Sequence, residues 1–121
     1  MIDSILASVK KSLGVEEDFS GFDNDILVGI NSAFMALTQL GVGPEEGFSV
    51  TGSEEEWSDF LTNSTNVEGA KIYTILKTRL VFDPPANSFV TTAINEQIKE
   101  LEFRLIVQTE EPIEEVVPEE E

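Results

Sequence analysis

The amino-acid sequence predicts an all-α fold: a small bundle of four main helices, with a short extra helix in the excursion at residues 41–64. In four segments, apolar residues recur every three or four positions, which places them on one face of a helix. The pair Pro84 and Pro85 separates two of these segments, because proline lacks an N–H and its ring clashes with the preceding turn. Alternation typical of a strand is limited to Phe48 and Val50, which allow at most a short extended piece.

The first helix is predicted over residues 2–13, where apolar residues follow helical spacing. Lys10 and Lys11 near its end suit the helix dipole, and Gly14 marks the stop. Residues 15–21, VEEDFSG, are acidic and contain Gly and Ser. We predict a loop there.

The second helix is predicted over residues 22–40, capped by Asp23 or Asn24 and closed by Gly41. An apolar stripe runs along it, and several small residues would let another helix approach closely. We interpret these small residues as a sign of tight core packing. They are Gly29, Ser32, Ala33 and Ala36.

The excursion at residues 41–64 opens with Gly and Pro residues that are too frequent for a helix. Ser53 and Glu56 then have the spacing of a capping box, which predicts a short helix. Its apolar residues fall on one side and are Trp57, Phe60 and Leu61. Trp57 either anchors the excursion on the core or is an exposed hot spot of an interface.

The helix after the excursion is predicted to open with a capping box of Thr65 and Glu68 and to end near residue 82 or 83. Three of its apolar residues lie off the main stripe, namely Ile72, Ile75 and Val81. Such a helix is either central in a bundle or partly covered by a neighbouring subunit. The sequence leaves both alternatives open.

A sharp corner leads into the last helix, and it consists of Phe82, Asp83, Pro84 and Pro85. We expect Asn87 or Ser88 to cap that helix. Its core stripe recurs at helical spacing and is formed by Val90, Ile94, Ile98, Leu101 and Leu105. Glu100 precedes Arg104 by one helical turn, an order that favours an ion pair worth about a few tenths of a kcal/mol.

The 121 residues include 24 acidic and 7 basic side chains, which give a formal net charge of −17 at pH 7. We predict that residues 1–108 form one helical domain, since 40% of the chain is apolar. Residues 109–121, TEEPIEEVVPEEE, lack apolar periodicity and their charges repel, so we expect a disordered acidic tail. The tail either aids solubility or orders on a partner through Ile113, Val116 and Val117.

We expect no catalytic or metal chemistry. The chain has no Cys and no His, which removes the usual pairs of nucleophile and base and the thiolate or imidazole metal sites. The acidic runs at residues 16–18 and 54–56 lack the alternating ligands and central Gly of a calcium loop, and we interpret them as solvated turns. The prediction is a non-enzyme with no cofactor and no metal.

Neither a membrane nor nucleic acid is an expected binding partner. No apolar run approaches the roughly 20 residues that span a bilayer, and the first residues lack a basic leader with an apolar block. An acidic surface lacks the Lys and Arg side chains that neutralise phosphates. We therefore expect a cytoplasmic protein that does not bind nucleic acid directly.

Six segments together are typical of one known family: VKKSLG at 9–14, FDNDI at 22–26, LTQLGVG at 37–43, WSDFL at 57–61, FDPP at 82–85 and ELEFRL at 100–105. In their order and spacing the chain resembles the small helical head–tail connector proteins of tailed bacteriophages and prophages. These are also called head-completion or adaptor proteins. The resemblance covers nearly all of the predicted globular part and does not include the acidic tail.

The resemblance implies a structural protein of the virion neck that assembles in the host cytoplasm. It implies a ring of identical copies, a dodecamer, that docks beneath the portal protein of a DNA-filled head and faces the tail-completion protein. DNA would pass through without specific binding, and an acidic wall suits that role because it repels phosphates. A closed ring requires two different contact faces on each copy, and the helix at residues 67–82 is a candidate for one of them.

The charge also fits a protein of another class, an acidic helical module that mimics nucleic acid. Such a module would occupy a basic groove of a DNA- or RNA-handling protein. It would remain a monomer or dimer, and its binding would weaken steeply with salt. The size of the protein in solution distinguishes the two alternatives.

Overall fold

The computed structural model of the protein describes residues 4–61 and 64–110, and within these ranges the chain forms helices and no strand. The helices are α1 (Ile5–Ser12), α2 (Asp23–Gln39), α3 (Trp57–Phe60), α4 (Ser64–Phe82) and α5 (Ser88–Glu110). The prediction of an all-α fold with four main helices and one short helix is confirmed. Helix α5 runs two residues past the predicted domain end at 108, and residues 111–121 of the predicted tail lie outside the described residues.

The starts of α1 and α2 are fixed in different ways. Ser4 caps α1, because its Oγ accepts a hydrogen bond from an N–H of the first turn at 3.2 Å. The prediction that Asp23 or Asn24 caps α2 is wrong, since Phe22 occupies the cap position and makes no side-chain cap bond. The Asp23 carboxylate lies instead 2.8 Å from Nζ of Lys10.

The capping box predicted from Ser53 and Glu56 is also wrong. Glu56 is itself the cap of α3, and its N–H donates a hydrogen bond of 2.9 Å to the carboxylate of Asp59. The loop before it is held by Glu55, whose carboxylate accepts hydrogen bonds from the hydroxyl and the N–H of Thr51. The hydroxyl contact is the main reason that the pKa of Glu55 lies below its ordinary value.

Helix α4 ends at Phe82, as the following prolines require, and residues 83–87 turn the chain before α5 begins. Asn87 is the residue that caps α5, because its Oδ1 accepts a hydrogen bond from the N–H of Phe89 at 2.7 Å. At its other end α4 begins at Ser64, so Thr65 lies inside the helix and not at its cap.

Helix α4 is central, because it packs against α2 on one side and against α5 on the other. The α2 contact is close: a Cβ built on Gly29 would lie 2.9 Å from Cγ2 and 3.1 Å from Cα of Thr78. A side chain at this position therefore would not fit without movement of the α4 backbone. On the α5 side, the Tyr73 hydroxyl donates a hydrogen bond of 2.7 Å to Glu102.

The loop that follows α2 contributes residues to the hydrophobic core. Asn31 of α2 holds the backbone of Val50 with two hydrogen bonds, one to its C=O at 2.9 Å and one from its N–H at 2.8 Å. Trp57 is 1% exposed, donates a hydrogen bond to the Ser8 hydroxyl at 2.9 Å, and packs edge-on against Phe34. The loop is thereby fixed to both α1 and α2.

Candidate interaction surfaces

The predicted corner lies at one end of the bundle, beside the start of α2. Phe82 packs edge-on against Phe22 with ring centroids 5.3 Å apart, and Phe22 packs in the same way against Phe19. The corner is therefore joined to the loop before α2 by three aromatic rings. Its other residues are exposed or half-buried and are Asp83, Pro84 and Pro85.

An apolar groove of about 670 Å³ opens at this end of the bundle, and we call it the end groove. Its apolar lining is Leu13, Val15, Phe22, Val28, Val81 and Phe82. The carboxylates of Asp25 and Asp83 share the lining. Val28 and Val81 are both exposed, so the groove offers apolar surface to a partner.

The three apolar residues of α4 that lie off its main stripe have different surroundings. Ile75 is half-buried and packs against the core, whereas Ile72 and Val81 are exposed. Helix α4 is therefore central and still leaves part of its apolar surface uncovered. The two alternatives for this helix, a central position and cover by a neighbouring subunit, do not exclude each other.

Neither Trp57 nor the pair of Glu100 and Arg104 lines the end groove. Trp57 is buried, so in the single chain it holds the excursion on the core and is not an exposed contact. Arg104 Nη2 lies 2.7 Å from Glu100 Oε2 on the surface of α5. Both side chains are mostly exposed, so this ion pair contributes at most about a few tenths of a kcal/mol.

Helix α5 carries an apolar surface that was not predicted from the sequence, on the side opposite its core stripe. Phe89 is 84% exposed, Phe103 is 67% exposed, and Val107 is exposed as well. Positions about 14 and 18 residues apart lie on the same side of a helix with 3.6 residues per turn. We call these three residues the α5 outer face. The helical spacing of these three residues is a sign of this surface in the sequence, but the stronger stripe through Ile94 and Ile98 concealed it.

Helix α2 also exposes apolar side chains opposite its core stripe. They are Val28, which is 61% exposed, and Met35, which is 65% exposed. The two lie about two turns apart on the same side of the helix. Since Val28 lines the end groove, we call the end groove together with Met35 the α2 flank.

The other features of the described residues are less informative. A second groove, beside α1 and the loop at residues 51–54, is lined mainly by polar side chains. Within residues 4–61 and 64–110, no group of three or more acidic side chains is placed to hold a metal ion. Among the helices that the structure describes, none is both long enough and apolar enough to cross a membrane.

Comparison with protein families gives a match that covers most of the chain. The family model is described as "phage connector protein" and matches residues 5–112. The matched region includes all five helices. Comparisons with curated proteins and with solved structures give no match.

Proposed function

This chain belongs to the phage connector protein family, and on that premise we propose how it acts. The family is one of structural proteins, so the chain has a structural role of the connector type and interacts with other proteins of virion assembly. We propose that it is a head–tail connector. Its copies form a ring of twelve that docks on the portal protein, faces the tail-completion protein, and links the DNA-filled head to the tail.

The observation that supports a ring is that folding leaves two separate apolar surfaces uncovered, the α2 flank and the α5 outer face. Each lies on the side of its helix that is turned away from the core. A surface that binds a different surface on the next copy gives a chain of copies, and such a chain closes into a ring when the rotation between copies allows it.

The charge supports passage of DNA without specific binding. With a net charge of −17 per copy, a ring would repel the phosphates of the duplex and would not trap it. The site of action in this proposal is the neck of the assembled virion. Assembly would take place in the host cytoplasm, where the portal is also present.

Electron microscopy of the chain mixed with its cognate portal protein tests this proposal. We expect rings, and portal particles that carry an added ring at one end. A matched sample without portal shows whether the ring forms alone. If neither rings nor portal complexes appear over a range of protein and salt concentrations, the connector role is wrong.

The alternative of a nucleic-acid mimic has one observation in its favour, the net charge. A mimic would recover a basic nucleic-acid enzyme in a pull-down, and added salt would weaken the complex steeply. Removal of residues 109–121 separates the alternatives, because these residues carry −7 of the charge. A mimic would lose much of its affinity, whereas a connector would keep its fold and its binding to the portal.

A further inference from the structure

The end groove opens where three helices meet at one end of the bundle. Its apolar lining comes from the end of α1 and the loop that follows, from the start of α2 and from the end of α4. A partner can therefore reach the groove from the end of the bundle. A neighbouring copy in the proposed ring would instead meet the α2 flank from its side, at Met35, which does not line the groove.

Folding leaves the apolar walls of the groove partly uncovered. Val28 and Val81 are both exposed, and Phe22 is 44% exposed. The ring of Phe22 is held edge-on between those of Phe19 and Phe82, so this wall is already in place before a partner binds. An apolar side chain that entered the groove would not have to order it first.

The groove also carries negative charge. Among the described residues that line it, two are acidic and none is basic. Asp25 lies in the first turn of α2, and Asp83 directly follows α4. In the described part of the chain, neither carboxylate has an ion pair or a side-chain hydrogen bond. Both charges are thus available to a cationic group of a partner.

The surroundings of the groove have the same sign. The loop at residues 16–18, EED, is exposed and adds three carboxylates. The exposed bases closest along the chain are Lys11 and Arg79, and neither lines the groove. The buried base Lys10 is already paired with Asp23. This end of the molecule is therefore apolar at the groove and acidic around it.

The chain itself contains no good match for such a site. On α5, the exposed Phe89 and Phe103 share their side of the helix with Glu96 and Glu100, which are exposed as well. Entry of these aromatic residues from a second copy would bring carboxylates close to those of the groove. Residues 111–121 contain no base, and the phosphates of nucleic acid would also be repelled. The charge thus favours a segment of a different protein.

We propose that the end groove binds a segment of another virion-assembly protein in which a large apolar side chain is accompanied by Lys or Arg. The apolar side chain packs between Phe22, Val28 and Val81, and the basic side chains pair with Asp25 and Asp83. The apolar contact anchors the segment, and the carboxylates select against acidic segments. This inference rests on the proposed connector role, because a connector must bind proteins other than its own copies.

A labelled peptide of about 12 residues, with Leu and Lys placed at helical spacing, tests the groove in the full chain. Fluorescence anisotropy measures its affinity. In one comparison peptide Glu replaces every Lys, and in another Ser replaces every Leu. We expect both to bind at least about tenfold more weakly than the first peptide. Added salt should weaken binding of the first peptide, because it screens the attraction between opposite charges.

A pair of charge variants separates the groove from the net charge of the chain. Asp25→Asn together with Asp83→Asn should weaken binding of the Leu–Lys peptide about fivefold. The matched control is Glu45→Gln together with Glu46→Gln, which removes the same charge from exposed residues that do not line the groove. Its affinity should stay within about twofold of that of the natural chain. Equal weakening by the two double variants would overturn the proposal.

A pair of apolar variants tests the walls. Val81→Ser should also weaken binding about fivefold, because it removes an apolar contact in the groove. Ile72→Ser is the control, since Ile72 is an exposed apolar residue of the same helix that does not line the groove. Circular dichroism and light scattering check that each variant keeps the fold and the size of the natural chain. Equal effects of the two substitutions would contradict an apolar anchor in the groove.

The portal protein and the tail-completion protein, tested one at a time, separate this inference from the connector role. The double Asp variant should lose about fivefold in affinity for the one that uses the groove. If the natural chain and this variant bind both proteins equally well, the groove is not the docking site and the connector role remains. If the natural chain binds neither protein and forms no ring, both proposals fail.

Discussion

Lys10 is the residue on which the end of α1 and the following loop depend. Its side chain is 3% exposed, and its Nζ donates hydrogen bonds to the C=O of Glu17 at 3.0 Å and of Phe19 at 2.6 Å. The third partner is the Asp23 carboxylate at 2.8 Å, an ion-pair contact to the start of α2. One buried amine thus fixes the loop between two helices.

We expect Lys10→Met to lower the free energy of unfolding by about 2 to 3 kcal/mol. Removing one partner of a buried pair usually costs about 3 to 5 kcal/mol, but the Asp23 side chain is partly exposed and can be hydrated. Urea unfolding followed by circular dichroism measures the change. The control is Lys11→Met, at an exposed neighbour, which should change stability by less than about 0.5 kcal/mol. Equal effects of the two variants would contradict this role of Lys10.

Tyr73 gives a prediction for alkaline pH. Its burial, and then its hydrogen bond to the Glu102 carboxylate, raise the pKa of the Tyr73 hydroxyl above its ordinary value of about 10. The folded chain therefore keeps this proton at a pH where the unfolded chain releases it. The stabilisation is complete below pH about 10 and is lost as the pH rises further.

We expect Tyr73→Phe to be less stable than the natural chain by about 1 kcal/mol near neutral pH. The difference should shrink above pH about 10, since ionisation of Tyr73 then favours the unfolded natural chain alone. Urea unfolding of both chains at each pH gives the difference, in which the common titration of the lysines cancels. A difference that stays constant up to pH about 11 would show that the folded-state pKa of Tyr73 is not raised.

Single residues were the hardest feature to predict from sequence. Lys10 was interpreted through the helix dipole, and Asp23 was offered as a helix cap, because both interpretations need only neighbours along the chain. Their actual contact joins α1 to α2 across the loop, and it depends on how that loop folds. Asn31 is a similar case: its two bonds to Val50 span 19 positions of sequence.

At the scale of the elements, the sequence predicted the main helices well. Their apolar residues repeat at helical spacing over several turns, and tertiary packing reinforces that pattern instead of opposing it. The short helix α3 forms where it was predicted, but the prediction of its cap was wrong, since Glu56 and not Ser53 occupies the cap position. Several neighbouring polar side chains can serve as a cap there. The N–H of Ile5 donates a hydrogen bond of 3.0 Å to the C=O of Glu55, so α1 holds the residue before the cap, and this contact between distant residues is not visible in the sequence.

The corner between α4 and α5 gives a prediction at this scale. We expect replacement of both Pro84 and Pro85 by Ala to let α4 and α5 extend toward each other or fray, because each proline now prevents continuation of the helix. Far-ultraviolet circular dichroism and hydrogen exchange at residues 83–87 would detect the change. Unchanged helicity together with unchanged portal binding would show that the prolines do not set this corner.

The crossing of α2 and α4 gives another prediction at the scale of the elements. Gly29→Ala should destabilise the fold by about 1 to 3 kcal/mol, since the added Cβ would overlap Thr78 and its backbone cannot yield without moving α4. This loss is larger than the stabilisation of about 1 kcal/mol that alanine gives over glycine through its helix propensity. Ser32→Ala, at an exposed site on the same helix, should show no loss. A more stable Gly29→Ala chain would mean that the helices have room to separate.

For the whole molecule, the sequence predicted the fold class and the family, and it did not predict the surfaces. A core stripe is readable because burial imposes a period on the sequence. The α5 outer face uses only Phe89, Phe103 and Val107, with polar and acidic residues between them. A sparse pattern of this kind becomes visible only when the buried side of the helix is known.

The net charge predicts how salt acts on assembly. Copies that each carry −17 repel one another, so added salt should raise the fraction of assembled protein measured by light scattering. Dissociation of copies by salt would contradict an apolar contact as the main source of affinity.

The close crossing at Gly29 and Thr78 has a consequence for the virion neck. By holding α2 and α4 almost in backbone contact, it fixes the distance between these two helices, and with it part of the spacing between the α2 flank and the α5 outer face. In the proposed ring of twelve, each copy would be rotated by about 30° from the next. The width of the bore of that ring would then depend in part on a glycine deep inside the subunit, at a distance from every surface that a partner could touch.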